Sequence, residues 1–364
     1  MQTVFELPVR SGALEVHYPQ PLLLVEPELA VKDWELNKVQ GDSLKALTIF
    51  PDATAELLLR YLNLSPKSLR YLQKHLSDLC PENDKDRYVE IRMAPKPEES
   101  RFGSGPYVYR LGRRGHALMK REGLITGRYR QPEESLHTRI PMQHRFAVNE
   151  FLYKAILLTE QVPGVTLLEQ LHEKDWNANP LRLSVLTDGG YTVRKRLSFD
   201  LTLKYRVETP RHQYMFHPEI NLSPVWQKDW QMRIRTIITA LTEQNGPSMY
   251  YQRFKTNLLT AIPVMVASSS DFPRRDLTTL TDAEREERRL ETLRRRARMN
   301  NLLDYTEAAL THLGLQDFAD MFYFSAAPLD EISPYDLFFS PHWVMPFDRQ
   351  TRRQLMFYKR DANG

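Results

Sequence analysis

Cysteine is almost absent from this chain: its 364 residues include one, Cys80. A single thiol excludes an internal disulfide framework and any cysteine-rich zinc site, and leaves Cys80 as a buried thiol at a helix end. Long apolar runs are missing as well. Leu22-Leu23-Leu24-Val25 is far shorter than the roughly 20 residues a membrane span needs, and it reads as a buried strand. The N-terminus has no basic-then-apolar layout of the signal-peptide kind. The sequence therefore predicts a soluble, cytoplasmic protein with no membrane partner. Strong charge of either sign is lacking: a net charge of +4 permits nucleic-acid binding without demanding it, so any basic patch must be local. There is no GxxxxGK[ST] run and no GxGxxG after a strand, which removes the common phosphate-cradling loops. No repeat period is visible.

What remains is ordinary in amount and informative in order. An apolar share of 41% suffices for real cores, and the length suits two domains with a small appendage. The segment from Ala53 to Glu122 carries the most information. Ser65 and Pro66 suit the cap and first position of a helix running to Leu79. Leu69, Leu72, Leu76 and Leu79 then share one stripe, with Lys67, Arg70, Tyr71 and Lys74 roughly opposite. A leucine back and a basic, aromatic-interleaved front suit a helix that lies in a DNA major groove. Two short strands follow, Tyr88 to Arg92 and Tyr107 to Leu111, rich in β-branched and aromatic residues. Between them, Ala94 to Ser104 is rich in Pro, Glu, Ser and Gly, as an exposed loop would be. Gly112-Arg113-Arg114-Gly115 leads into a helix from His116 to Glu122. This order predicts a winged helix-turn-helix with double-stranded DNA as its partner. The predicted DNA contacts are Lys67, Ser68, Arg70, Tyr71 and Lys74 from the helix, with Arg101, Arg113 and Arg114 on phosphates. A solvated helix face would show a similar pattern; the strands and loop tip the reading to DNA.

The remaining chain divides by breakers and periodicity. Residues 1–40 form an unclassified arm, 41–125 the winged domain, 126–142 a polar linker ending near Pro141, 143–347 an α/β domain and 348–364 a tail. A strong amphipathic helix runs from Gln143 to Leu158. Strand-like runs follow around Val185, at Arg196 to Lys204, Tyr214 to Leu222, Ile262 to Ala267 and Met321 to Ser325, with a helix from Gln227 to Thr242. The fold class is α/β in the second domain and α+β overall. Thr281 to Arg298 reads as a helix with acids early and arginines late. Such a helix is most simply solvated and laced with Glu–Arg pairs. The alternative is a second phosphate-binding surface around Arg294, Arg295, Arg296 and Arg298.

The run from Tyr109 to Leu118, followed by the His144-bearing helix from Gln143 to Leu158, resembles the replication-relaxation family of bacterial plasmids and mobile elements. The resemblance extends from about Leu47 to Phe347, through short and degenerate motifs. It implies an N-terminal winged helix, a restriction-endonuclease-like C-terminal domain, and DNA binding in replication, its control or transfer. A nuclease of that fold needs two or three acids from adjacent strands to hold Mg²⁺, and a lysine near the attacking water. Asp200 and Glu219 fit the acids, as catalytic residues and metal ligands in an active site, and Asn221 shares a strand face with Glu219. Asn221 departs from the pattern, because it carries no charge and cannot replace a lysine. Lys204 and Arg235 are substitutes that the sequence does not place. An inactive nuclease-like domain with no cofactor is therefore expected. Mg²⁺ or Mn²⁺ enters only with the alternative, a metal-dependent endonuclease. A further alternative is an adaptor that binds a replication or transfer protein, and homodimerisation is left open. His212 and His217 lie near Glu219 in sequence, but strand-end histidines are more often surface residues than ligands. Trp226, Trp230 and Trp343 read as core or groove-lining aromatics.

Overall fold

Asn37 opens the first helix with a reciprocal capping box. Its side chain accepts from the Gln40 N–H at 3.0 Å, and the Gln40 side chain accepts from the Asn37 N–H at 3.1 Å. The computed structural model describes residues 36–83, 86–94, 106–125, 139–178, 180–187, 189–208, 211–242, 248–255, 258–268 and 281–356. Helix α1 (Lys38–Ile49) is followed by the short strand β1 (Ala53–Thr54), α2 (Ala55–Tyr61) and α3 (Leu69–Asp78). Strands β2 (Val89–Met93) and β3 (Tyr107–Leu111) pair antiparallel, and β1 adds to β3, giving the order β1-β3-β2. Helix α4 (Arg113–Arg121) closes this N-terminal module. Thr54 caps α2 through a hydrogen bond from the Leu57 N–H. Pro66–Ser68 forms one 3-10 turn before α3, so the helix proper starts three residues later than expected, and Ser65 makes no side-chain capping bond. Leu72, Leu76 and Leu79 are fully buried in one core with Leu44, Phe50 and Leu58.

The long helix α5 (Arg139–Gln161) begins the second part. It starts before Pro141, which the sequence had marked as a breaker. Proline is tolerated in a first turn, where its missing N–H has no partner to lose. After it come β4 (Val165–His172), α6 (Glu173–Ala178), β5 (Leu181–Leu186), β6 (Thr192–Leu197), β7 (Leu201–Glu208), β8 (Arg211–Phe216) and β9 (Glu219–Asn221). Helices α7 (Gln227–Leu241) and α8 (Met249–Phe254), strand β10 (Ile262–Val266) and helix α9 (Asp282–Leu313) follow. The chain continues through β11 (Phe322–Ser325), α10 (Pro334–Phe339), β12 (Trp343–Met345) and β13 (Asp348–Arg353). Helices and sheets are both plentiful, an α+β mix.

Three strands, β4-β7-β8, form an antiparallel sheet, and five more run in the order β13-β12-β11-β10-β9, with β9, β10 and β11 parallel. The two sheets join where Phe216 bridges Ala261 and the Thr260 N–H donates to the Met215 carbonyl at 2.8 Å. The expected run from Tyr214 to Leu222 is thus two strands separated at His217-Pro218, and that from Arg196 to Lys204 is split at Ser198–Asp200. Residues 348–353 belong to the sheet rather than to a tail: β13 pairs with β12, and Leu355 and Met356 beyond it are fully buried. The helix read over Thr281 to Arg298 continues to Leu313. Its arginines are largely engaged by acids: Arg289 with Glu286 at 2.7 Å, Arg294 and Arg298 with Glu291, and Arg288 with Asp330 at 2.6 Å.

Helix α5 also carries the N-terminal module. Arg60 makes two hydrogen bonds to Glu150, at 3.0 and 2.6 Å. Asn149 donates to the Pro51 carbonyl at 2.8 Å, and Asp52 accepts from Arg145 and lies 3.7 Å from Arg110. The apolar core is continuous from Leu44 through Phe151 to Phe338.

Candidate functional site

Two groups of polar side chains stand out: the outer face of α3, and a largely buried acid centre where the two sheets meet. On α3 the period of 3.6 separates a buried leucine stripe from an exposed face. Lys67, Arg70, Tyr71 and Lys74 are exposed, Tyr71 by 54%, and Ser68 is half-buried at the helix start. None of the three cations has a carboxylate partner among the described residues. The Tyr71 ring packs edge-on to His75, with centroids 4.2 Å apart, which holds it against the helix.

The two arginines after β3 differ. Arg113 is exposed at the start of α4, whereas Arg114 is half-buried, 3.5 Å from Asp86 and stacked 4.9 Å over the Tyr88 ring. The flanking glycines have a packing role. A Cβ on Gly115 would lie 2.1 Å from the Tyr88 carbonyl oxygen, and one on Gly112 would lie 2.5 Å from that of Arg87. Arg101 lies outside the described residues.

Where the two sheets meet, Asp200 sits one residue before β7 and Glu219 opens β9, so two strands separated by β8 bring the predicted acids together. The Asp200 carboxylate accepts from the Ile220 N–H at 2.7 Å and lies 3.2 Å from His144 Nε2 on α5. Glu219 accepts from Arg233 of α7, whose guanidinium also reaches the Ser198 carbonyl and lies over the Phe199 ring. Asn221 is half-buried at the end of β9, on the same face as Glu219. Glu173, the first residue of α6, completes the group. One donor atom each from His144, Glu173 and Asp200 lies within 4.8 Å of the others.

The electrostatics follow from this packing. Burial alone would raise the Asp200 pKa, but the His144 charge and hydrogen bond, with the Ile220 N–H, hold it below the ordinary carboxylate range. Burial works against a charged His144, yet the Asp200 charge and bond outweigh it and lift the imidazole to about 9. Glu219 is pushed up to about 7, chiefly by burial, with the Asp200 charge adding to it and Arg233 opposing. Near neutral pH the centre is thus an imidazolium–carboxylate pair beside a Glu219 that is bonded to Arg233 and titrates near 7. A divalent ion would meet an imidazole nitrogen and two carboxylate oxygens once His144 gave up its proton. That donor set suits Mn²⁺ or Zn²⁺ better than Mg²⁺.

His144, Glu173 and Arg233 were not legible as site residues. His144 lies 56 positions from Asp200, and no spacing rule spans that distance. The cation bonded to Glu219 is Arg233, not either of the expected substitutes, Lys204 and Arg235. A permanently protonated guanidinium can stabilise negative charge but cannot take up a proton. His217, near Glu219 in sequence, is turned away and fully buried. It bonds Thr202 at 2.8 Å and the Tyr250 hydroxyl at 3.0 Å, and it stacks on Phe199. Trp230 and Trp343 are core residues, while Trp226 is 82% exposed just before α7. Among the described residues no helix is long and apolar enough to cross a membrane. Comparisons with protein families, with curated proteins and with solved structures return no match.

Proposed function

We propose that this chain is a double-stranded DNA-binding protein in which the α1–α4 module acts as a winged helix-turn-helix and α3 is its recognition helix. The observation that carries the reading is the exposed α3 face. Arg70 and Lys74 stand there around Tyr71, with Lys67 on the 3-10 turn just before it, all without acid partners among the described residues, on a helix locked from behind by three buried leucines. Cations held out on a rigid element, and not neutralised internally, suit phosphates and base edges. The strand order β1-β3-β2 is compatible with a winged arrangement; the segment between β2 and β3 read as its wing, residues 95–105, lies outside the described residues. The sequence resemblance to the replication-relaxation family supports reading that DNA as plasmid or mobile-element DNA, bound in replication, its control or transfer.

In this reading the second domain is nuclease-like and does not cleave. Arg233 neutralises Glu219, Asn221 stands where a lysine is needed, and His144 occupies Asp200. Gel shifts on plasmid fragments test the proposal, run with EDTA, Mg²⁺ or Mn²⁺ and followed by analysis of DNA integrity. Retarded, intact DNA under all three conditions is expected; absence of any shift at low salt contradicts it. The donor set of His144, Glu173 and Asp200 favours one second reading, a Mn²⁺-dependent endonuclease. Mn²⁺-dependent nicking that disappears in both Asp200→Ala and Glu173→Ala would replace the non-cleaving reading with that one.

A further inference from the structure

The hairpin of β5 and β6 presents a face that belongs to neither group above. Its turn closes with the Thr187 N–H donating to the Tyr191 carbonyl at 2.8 Å and with Gly190 in the left-handed region at φ 75°. One side of the hairpin is apolar: Leu181, Leu183, Val185 and Leu197 are buried in one cluster with Ile234, Ile238 and Leu241 of α7. Side chains alternate along a strand, so the other side carries Arg182, Ser184 and Leu186 from β5 and Thr192, Arg194 and Arg196 from β6. All six are exposed.

The register sets Arg182 directly across from Arg196, and Ser184 across from Arg194. Like charges directly opposite each other destabilise a strand pair. Yet none of these arginines is paired with a carboxylate among the described residues. Other exposed arginines among the described residues do meet acids, as Arg289 meets Glu286 at 2.7 Å and Arg349 meets Asp304 at 2.5 Å. Beside the cluster, at the tip, Tyr191 is 76% and Leu186 61% exposed. Three guanidiniums on one rigid face, with an aromatic ring beside them, match an anion that offers repeated oxygens and flat apolar surfaces. A two-stranded ribbon is also of a size that enters a DNA major groove. The root of the hairpin leads into the acid centre: Leu197 ends β6 three residues before Asp200, and Arg233 holds the intervening Ser198 carbonyl.

We propose that the β5–β6 hairpin is a second nucleic-acid contact, whose Arg182, Arg194 and Arg196 take phosphates of the same duplex that α3 binds. The shared duplex rests on the reading of α3 given above. The contact itself rests only on the hairpin.

Fluorescence anisotropy of a labelled 30-bp duplex across a salt series tests it with four proteins. These are the unaltered chain, Arg182→Gln/Arg194→Gln/Arg196→Gln, the corresponding triple Lys variant, and Lys67→Ala/Arg70→Ala/Lys74→Ala. Each lost phosphate contact lowers the slope of log K against log salt by about 0.9. The Gln triple variant is expected to lose between two and three such increments and to bind at least about tenfold more weakly at low salt. The Lys triple variant keeps the slope. An unchanged slope in the Gln triple, with binding lost in the α3 variant, overturns the hairpin contact and leaves the α3 reading intact. The reverse pattern keeps the hairpin and overturns α3. No binding by the unaltered chain overturns both. Binding to phosphatidylserine vesicles or to a polyglutamate peptide that the Gln triple loses, while its DNA slope is unchanged, assigns the face to another partner and overturns the proposal. If circular dichroism shows the Gln triple unfolded, Arg194→Gln and Arg196→Gln singly decide, each expected to remove about one increment.

Discussion

At the scale of single residues, His217 shows how a polar group is kept in an apolar box. Trp176 Nε1 donates to Thr202 at 2.9 Å, so the Thr202 hydroxyl proton is available to His217 Nδ1, and Nε2–H then donates to Tyr250. The Tyr250 hydroxyl passes on to the Leu258 carbonyl at 3.0 Å. Every member of this chain of bonds is satisfied with a neutral imidazole. Burial first, and then the charges of Arg253 and Arg233, depress the His217 pKa to about 3. Below pH 6.5 the unfolded chain therefore binds a proton that the native ring refuses. Stability is fully present above about pH 6.5 and falls as pH drops toward 3, by up to roughly 5 kcal/mol. Urea midpoints measured between pH 7.5 and 4 should show that loss, and His217→Gln should flatten it while lowering stability at pH 7. Parallel curves for the two proteins would remove His217 as the cause. Gly115 makes a simpler prediction. A methyl group there meets backbone, not a flexible side chain, so Gly115→Ala should cost about 2 kcal/mol or more in urea unfolding. An unchanged midpoint would mean that α4 can shift without penalty.

At the scale of elements, the end of the chain carries more than its polar sequence suggests. Strand β13 is exposed along almost its whole length, and its arginines and aspartate read as solvated tail. Its pairing with β12 and the two buried residues after it show otherwise. Leu355→Ala and Met356→Ala should each destabilise by about 2–5 kcal/mol. Thermal unfolding checks this; shifts of under one degree would show that 354–356 do not contribute to the core. The α3 stripe, both strands of the β2–β3 hairpin, α7, β10 and β11 were legible in the sequence, because apolar period and β-branched content mark them locally. Strand β4 was not, since Thr166, Leu168 and Glu169 all face solvent and no clean alternation survives. The break between β6 and β7 was hidden too, because Phe199 and Leu201 keep the run apolar across it. Of the acid centre, Asp200 and Glu219 could be picked from strand context. Their partners His144, Glu173 and Arg233 lie on α5, α6 and α7, and only the tertiary fold brings them together.

At the scale of the whole molecule, the two parts share one core, and α5 serves both. Its His144 faces the acid centre, while Arg145, Asn149 and Glu150 face the N-terminal module. Glu150 is buried and meets Arg60 on one side and Lys154, 3.6 Å away, on the other. Removing that acid leaves the buried Lys154, which also donates to the Ile332 carbonyl at 2.6 Å, and the half-buried Arg60 without their shared carboxylate. Breaking a buried pair costs about 3–5 kcal/mol in comparable cases. Glu150→Ala is therefore expected to lower the stability of both parts together. Hydrogen exchange in α3 and in β7 should rise in parallel. Faster exchange confined to α3 would show two independently stable units. The central claim, that α3 meets duplex DNA, is tested most directly by a photocrosslinking phenylalanine derivative in place of Tyr71, irradiated with a labelled duplex at low salt. Crosslinks from that position, competed by unlabelled duplex and lost when Lys67, Arg70 and Lys74 are replaced by alanine, are the predicted result. A bound duplex that yields no crosslink from position 71 would contradict it.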